Sequence, residues 1–356
     1  MSVATHPYGF RIVGPCTGDR RRVDAGTAFR AYCQCDARAN VEAEAYLSAF
    51  QFAGDFAEHL ARTGSPAGFT GSTWSPFVWL DVDRDEAAGG VARALADTKR
   101  LVDTLDERFG VPRGVLMPFV SGGKGMHLGI PTALWAPTAS ADFHAVARQF
   151  AETVAGAAGI AVDVGVFDRV RAFRAPNSKH PKSGLHKRYV PVEILDTVTV
   201  NGVLGMARAP EPFDVPSSDS VESADMLVAV WDAAGRAVAE KTAAAEQRRV
   251  EIANGDRAAT LNRKTRAFLA GEVEVGERHP RLYSAAANLA ELGCPLPAVR
   301  ALLTEPALDT GLPPKDVARQ IECGHAAAHP LVKHAAEVFG GTVTNVEHAK
   351  PEGGAV

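Results

Sequence analysis

The sequence predicts an α+β domain followed by a small all-α domain. Three observations carry this. Short apolar runs that read as strands alternate with amphipathic helical patterns over residues 1–207, and glycines and acidic residues fill the turns between them. Beyond that point the pattern turns to linker and then to helix alone. With 356 residues, two domains is the natural division, and 46% hydrophobic against 22% charged residues is a core-forming composition.

Taken in order, residues 25–62 place Phe29, Tyr32, Tyr46, Leu47, Phe50, Phe52, Phe56 and Leu60 partly at helical spacing, with a stop at Gly64 and Pro66, so a helical segment is expected there. Phe77-Val78-Trp79-Leu80 reads as a strand running into Asp81-Val82-Asp83. Residues 87–109, with Val91, Leu95, Val102, Leu105 and Phe109, form an amphipathic helix closed by Gly110 and Pro112. Residues 114–120 give a second strand, which meets the loop Ser121-Gly122-Gly123-Lys124-Gly125, and residues 126–130 alternate as a returning strand. A helix over 142–158, a strand edge over 160–163 and a strand over 189–195 complete the first domain.

Residues 209–220 are rich in Pro, Ser and Asp and read as linker, and 224–253 is one long helical pattern. Four short helices follow, over 260–270, 280–292, 296–303 and 313–328. The expected organisation is therefore a catalytic domain over 1–207, linker and long helix over 208–255, a helical domain over 256–338 and a frayed tail over 339–356.

A net charge of −4 argues against a histone-like or basic-tail nucleic-acid binder. The five cysteines are odd in number and scattered, so no disulfide framework is expected and the compartment reads as reducing. Cys33-Gln34-Cys35 with Cys16 lacks the second pair a zinc site needs, with only His6 and His59 to add, so free thiols rather than zinc are expected. There is no signal-like N-terminal run and no apolar stretch of membrane-spanning length, which predicts a cytoplasmic protein without membrane contact.

Three segments carry chemistry. Asp81 and Asp83 lie two apart on a strand and so share a face, where two hard oxygen donors suit Mg²⁺ or Mn²⁺. In Ser121-Gly122-Gly123-Lys124-Gly125-Met126-His127 the small residues let backbone N–H groups approach an anion, Lys124 adds charge, and Ser121 and His127 add donors. It is not a Walker A loop, because no Ser or Thr follows the Gly-Lys and no helix does. From 163 to 188 there are seven basic residues (Arg169, Arg171, Arg174, Lys179, Lys182, Lys187 and Arg188) against Asp163 and Asp168, a positive stretch in a negative chain.

Taken together and in this order, Asp-x-Asp after an apolar strand, Ser…Lys-Gly-Met-His, and Val-Asp followed by Arg-x-Phe-Arg-x-Pro-Asn-Ser-x-His-Pro-Lys-Ser-Gly resemble the archaeo-eukaryotic primase superfamily, in its primase-polymerase form. The resemblance covers about residues 77–195 and implies an RRM-like mixed sheet flanked by helices. It implies metal and catalytic roles for Asp81, Asp83 and Asp163, with Asp168 as rival for the third position; Asp163 is preferred because it ends the expected strand. Ser121, Lys124 and His127 would contact the nucleotide triphosphate, and Arg174, His180 and Lys182 would complete the pocket. Gly276-Glu277-Arg278-His279-Pro280 and Gly311-Leu312-Pro313-Pro314 look like the small helical domain that follows such cores, where a structural cap and template binding are both open.

The function so implied is a DNA primase and polymerase working on single-stranded DNA with NTP or dNTP and two Mg²⁺ or Mn²⁺ ions. Arg20, Arg21 and Arg22 are candidates for holding the initiating nucleotide. A primer-dependent gap-filling polymerase and a non-catalytic DNA-binding adaptor for a helicase are the other two readings. No P-loop motif is present in the sequence, so an unwinding partner would be a separate helicase.

Overall fold

The computed structural model describes residues 5–218, 223–253 and 260–328, so the expected tail over 339–356 lies outside the described residues. The chain divides into two compact units, Met1–Lys241 and Thr242–Val356.

The first unit opens with β1 (Tyr8–Val13), β2 (Arg21–Asp24) and α1 (Ala25–Cys33). Next come β3 (Ala45–Ser48), β4 (Gln51–Phe52), α2 (Gly54–Thr63) and β5 (Thr73–Trp74). The continuous helical segment expected over 25–62 is thus replaced by helix, two strands and helix. Its aromatic residues are buried from both kinds of element: Phe52 of β4 stacks on Phe56 of α2 at 3.9 Å, and Tyr32 closes α1. Positive φ at Cys35 and Asn40 breaks the helix where the sequence shows neither Gly nor Pro.

Then follow β6 (Phe77–Asp83), α3 (Gly90–Phe109), β7 (Met117–Val120), β8 (Gly125–Pro131) and α4 (Phe143–Ala157), all close to expectation. The strand expected over 160–163 does not form; Asp163 instead caps a short 3₁₀ turn, its side chain accepting from Gly165 N–H at 2.8 Å. After β9 (Ala172–Arg174) and β10 (Arg188–Tyr189), Pro191 ends the strand and the expected run to 195 becomes α5 (Val192–Leu195), followed by α6 (Val200–Met206).

Two sheets result. One has the order β5-β4-β1-β3-β9, with β2 on the outer side of β1; the other is antiparallel, in the order β10-β7-β8-β6. They share one core. Register in the second sheet sets Asp81 opposite His127, His127 opposite Phe119, and Phe119 opposite Tyr189. Directly opposed residues share a face, so this row lines one side of the sheet.

The described part of the expected linker is a strap. Phe213 stacks on Tyr189 at 4.7 Å, its N–H bonds the Cys33 carbonyl at 3.1 Å, and the buried Asn177 amide clasps Glu211 through both backbone groups. Two apolar residues of this Pro-rich stretch, Phe213 and Val215, add packing against the core to those hydrogen bonds. The long helix α7 (Asp225–Ala253) buries Leu227 and Ala234 and lays Trp231 against Trp135, Phe143 and Phe150.

In the second unit α8 (Arg263–Leu269), α9 (Arg278–Glu291), α10 (Leu296–Asp309) and α11 (Pro314–Ala328) surround Phe268, Leu282, Leu289, Val299, Leu303 and Ile321. Gly324 lets α11 touch α9, since a Cβ there would lie 2.4 Å from the Tyr283 carbonyl oxygen. No helix among the described residues is long and apolar enough to cross a membrane.

Candidate active site

The site starts from β6. Strand alternation buries Leu80 and Val82 on one face and turns Asp81 and Asp83 to the other. Room for them comes from β8: Gly125 lies opposite Asp83, where a Cβ would fall 2.1 Å from Asp83 Oδ1, and Gly129 admits the Trp79 ring, which a Cβ would meet at 2.6 Å. Asp163 arrives from a distant loop, its N–H donating to the Asp81 carbonyl at 2.8 Å.

Electrostatically the group is under tension. The Asp81 carboxyl is pushed up to about 7, first by burial and then by the negative charges of Asp83 and Asp163, and Asp83 is raised by burial before all else. Asp81 Oδ1 is buried without a hydrogen-bond partner among the described residues, with His127 Nε2 3.5 Å away. His127 is buried against Phe173 at 4.5 Å, and burial, then the Lys187 and Arg174 charges, hold its pKa well below the usual value, which favours the neutral imidazole. Its Nδ1 also lacks a partner among the described residues.

These observations bear on whether a divalent cation fits. Hard carboxylate oxygens, one of them buried and unpartnered, with neighbours of the same sign, are the donor set such a cation satisfies. Among the described residues no group of three or more His, Cys, Asp or Glu side chains already stands in metal-holding geometry. Asp81, Asp83 and Asp163 are neighbours rather than a closed cage. Asp168, the rival, has its charge felt by His144 and Arg169 instead, and its side chain accepts from Val170 N–H.

The glycine-rich turn lies beside them. Ser121 is buried and its hydroxyl accepts from Gly123 and Gly125 N–H at 3.2 and 3.3 Å, so it shapes the turn. Gly122 has φ +74°, and a Cβ there would strike the Leu185 carbonyl at 2.9 Å. Lys124 reaches Asp85 at 2.5 Å and Asp83 at 4.0 Å, and the Asp85 hydrogen bond raises its pKa. The turn is held against the 180–186 loop, where Ser183 donates to the Gly122 carbonyl and His180 Nε2 faces Gly123.

Arg174 comes from the other sheet. On β9 it points away from Phe173, stacks on Tyr46 at 5.0 Å and donates to the Tyr46 hydroxyl, which in turn donates to Glu44. Its charge reaches His127 and His180. His180 Nδ1 accepts from the N–H groups of Lys182 and Ser183, and the Lys182 side chain is exposed. Arg20, Arg21 and Arg22 lie on or before β2, separated from β9 by β1 and β3, with Arg20 and Arg22 over the rings of Phe10 and Tyr8.

Three of the seven basic residues in the 163–188 stretch serve the fold. Arg169 caps the Phe69 and Ala141 carbonyls, Arg188 is buried against Glu211 and the Met206 carbonyl, and Lys187 is 1% exposed. The Lys187 ammonium sits within 4.2 to 5.0 Å of the Phe173, Phe119 and Trp79 rings and donates to the Arg174 carbonyl at 2.9 Å. Burial pushes it down to about 7, with the Asp81 charge opposing. Sequence reading missed this internal cation, because an inward lysine looks like any other in a basic run. It missed Tyr46 for a like reason, as an aromatic residue inside an expected helix.

No family model matches the chain, and no curated protein does. Among solved structures it is similar to the crystal structure of primase RepB', over 94% of each chain, at 16% sequence identity and a TM-score of 0.35. At that identity and score the likeness assigns neither an activity nor site residues.

Proposed function

We propose that this chain is a template-dependent nucleotidyltransferase that makes and extends primers on single-stranded DNA from NTP or dNTP. The observation that carries the reading is the buried Asp81 oxygen, without a partner among the described residues, crowded by Asp83 and Asp163, with His127 beside it, Lys124 reaching Asp83, and the Lys187 and Arg171 charges felt by Asp81. A carboxylate cluster beside a cationic rim is the arrangement that nucleotidyl transfer requires.

In this reading Asp81, Asp83 and Asp163 hold two Mg²⁺ or Mn²⁺ ions, which would lower the pKa of the attacking 3′-hydroxyl and neutralise charge on the α-phosphate and pyrophosphate. The chain's own part is positioning. Lys124 leaves Asp85 for the triphosphate, a lateral move of one flexible side chain. Arg174, pre-oriented by Tyr46, offers its guanidinium fork to phosphate oxygens. His127, kept neutral, donates a hydrogen bond without adding charge, and the exposed Lys182 extends the positive rim. No side-chain nucleophile is needed, since the primer hydroxyl attacks in line. Basic residues left at the surface, such as Arg171, give the template a modest, salt-sensitive hold.

The test is incubation with single-stranded template, labelled nucleotides and Mn²⁺, with and without a supplied primer. Product in both arms, abolished in a folded Asp81→Asn/Asp83→Asn variant, is expected. Product only with primer leaves a gap-filling polymerase, and metal-independent DNA binding without product leaves an adaptor.

A further inference from the structure

The segment that carries Asp163 belongs to neither sheet, so its place beside β6 rests on a few contacts outside any ladder. One side chain spans the gap. Arg84, just past the end of β6, donates from Nη1 to the Asp83 carbonyl at 2.7 Å, from Nη2 to the Ala161 carbonyl at 2.9 Å and from Nε to Asp97 Oδ2 at 2.9 Å. It thereby joins three separate pieces of chain: the end of β6, the loop two residues before Asp163, and α3. Asp97 is 2% exposed on α3 and is the fixed end of this clasp. Arg93 and Arg100 also meet Asp97, at 3.0 and 2.8 Å, but from the solvent side. The Asp163 loop also meets β6 through the Asp163 N–H to Asp81 carbonyl bond, and Ile160, Val166 and Phe167 on either side of Asp163 are buried in the shared core.

We propose that Arg84, anchored by Asp97, is the positioning residue that sets the spacing between Asp163 and the Asp81/Asp83 pair. The planar fork matters, because three donors in fixed directions cannot be reproduced by a lysine. Arg93 and Arg100 share the anchor but not the loop, so they contribute to stability and not to spacing. The consequence for metal rests on the reading given above. The consequence for the loop does not.

The experiment compares the full chain with Arg84→Gln, Arg84→Lys and Arg93→Gln. Hydrogen exchange of the backbone amides over 158–165 is followed without metal, and Mn²⁺ binding is measured by titration calorimetry. Both Arg84 variants are expected to speed exchange in that loop about tenfold and to weaken Mn²⁺ binding about tenfold or more, the range typical for groups that orient metal ligands. Arg93→Gln is expected to leave both unchanged while lowering the melting temperature. Unchanged exchange over 158–165 in Arg84→Gln overturns the proposal, as does an equal effect from Arg93→Gln. Faster exchange in the Arg84 variants together with no Mn²⁺ binding by the unaltered chain upholds the clasp and overturns the metal reading instead.

Discussion

Lys187→Met isolates a single buried charge. Methionine keeps an apolar stem inside the Trp79, Phe119 and Phe173 cage and removes the ammonium together with its hydrogen bond to the Arg174 carbonyl. Burial lowers the Lys187 pKa from its ordinary 10.5 to about 7, so between those values the unfolded chain binds the proton that the folded chain gives up. Stability must therefore rise with pH across that window; the full cost is present below about 7 and is gone above 10.5. At about 1.4 kcal/mol per decade, that cost is roughly 5 kcal/mol. Between about pH 7 and about pH 9.5, the unaltered chain should recover about 3 kcal/mol relative to Lys187→Met. Urea unfolding of both chains at the two pH values gives this as a difference of differences, in which groups remote from Lys187 cancel while any change in Asp81 and His127, which feel the Lys187 charge, is counted with it. Parallel pH dependence in the two chains would refute the picture of a charge confined in the aromatic cage.

Three further outcomes follow from geometry. Gly125→Ala would force a methyl group to within 2.1 Å of Asp83 Oδ1 and 2.6 Å of the Val82 carbonyl, and should cost on the order of 1–3 kcal/mol in urea unfolding while weakening Mn²⁺ binding in calorimetry. His127→Ala should raise the KM for nucleotide about tenfold or more, and an unchanged KM and kcat would remove His127 from the nucleotide pocket. A chain ending at Lys241 keeps the Trp231 contacts and should extend a supplied primer, whereas one ending at residue 215 loses them and should melt earlier by the equivalent of about 3–5 kcal/mol. Undiminished initiation by the chain ending at Lys241 would take the helical unit out of strand initiation.

What the sequence made legible was whatever one local pattern could hold. β6 and its two aspartates, the hairpin through Lys124 to His127, and the helices α3, α4 and α8 to α11 each announce themselves by periodicity and by flanking Gly or Pro. The β1 and β2 strands, and the two strands inside residues 25–62, are too short for alternation to outweigh aromatic residues at mixed spacing. Asp163 was picked out as the end of a strand that does not exist. Its location comes instead from one backbone hydrogen bond, the Arg84 clasp and the burial of Ile160, Val166 and Phe167 around it, and the two polar contacts leave no trace in composition. The basic run was legible as charge but not as direction, since burial of Lys187 and Arg188 is decided by rings and carbonyls contributed by β6, β7, β9 and the strap.

The pocket draws Asp81, Asp83 and His127 from one sheet, Arg174 from the other and Asp163 from a loop outside both, and among the described residues the two sheets share no ladder hydrogen bonds. A triphosphate gripped by Lys124 and Arg174 at once would act as a strut between two separately hydrogen-bonded plates. Each plate is stiff along its strands, whereas the seam, held at the site by contacts such as Phe173 on His127, is the compliant direction. Occupancy would then be felt well beyond the pocket, as a rise in melting temperature of the whole first unit that grows with nucleotide concentration.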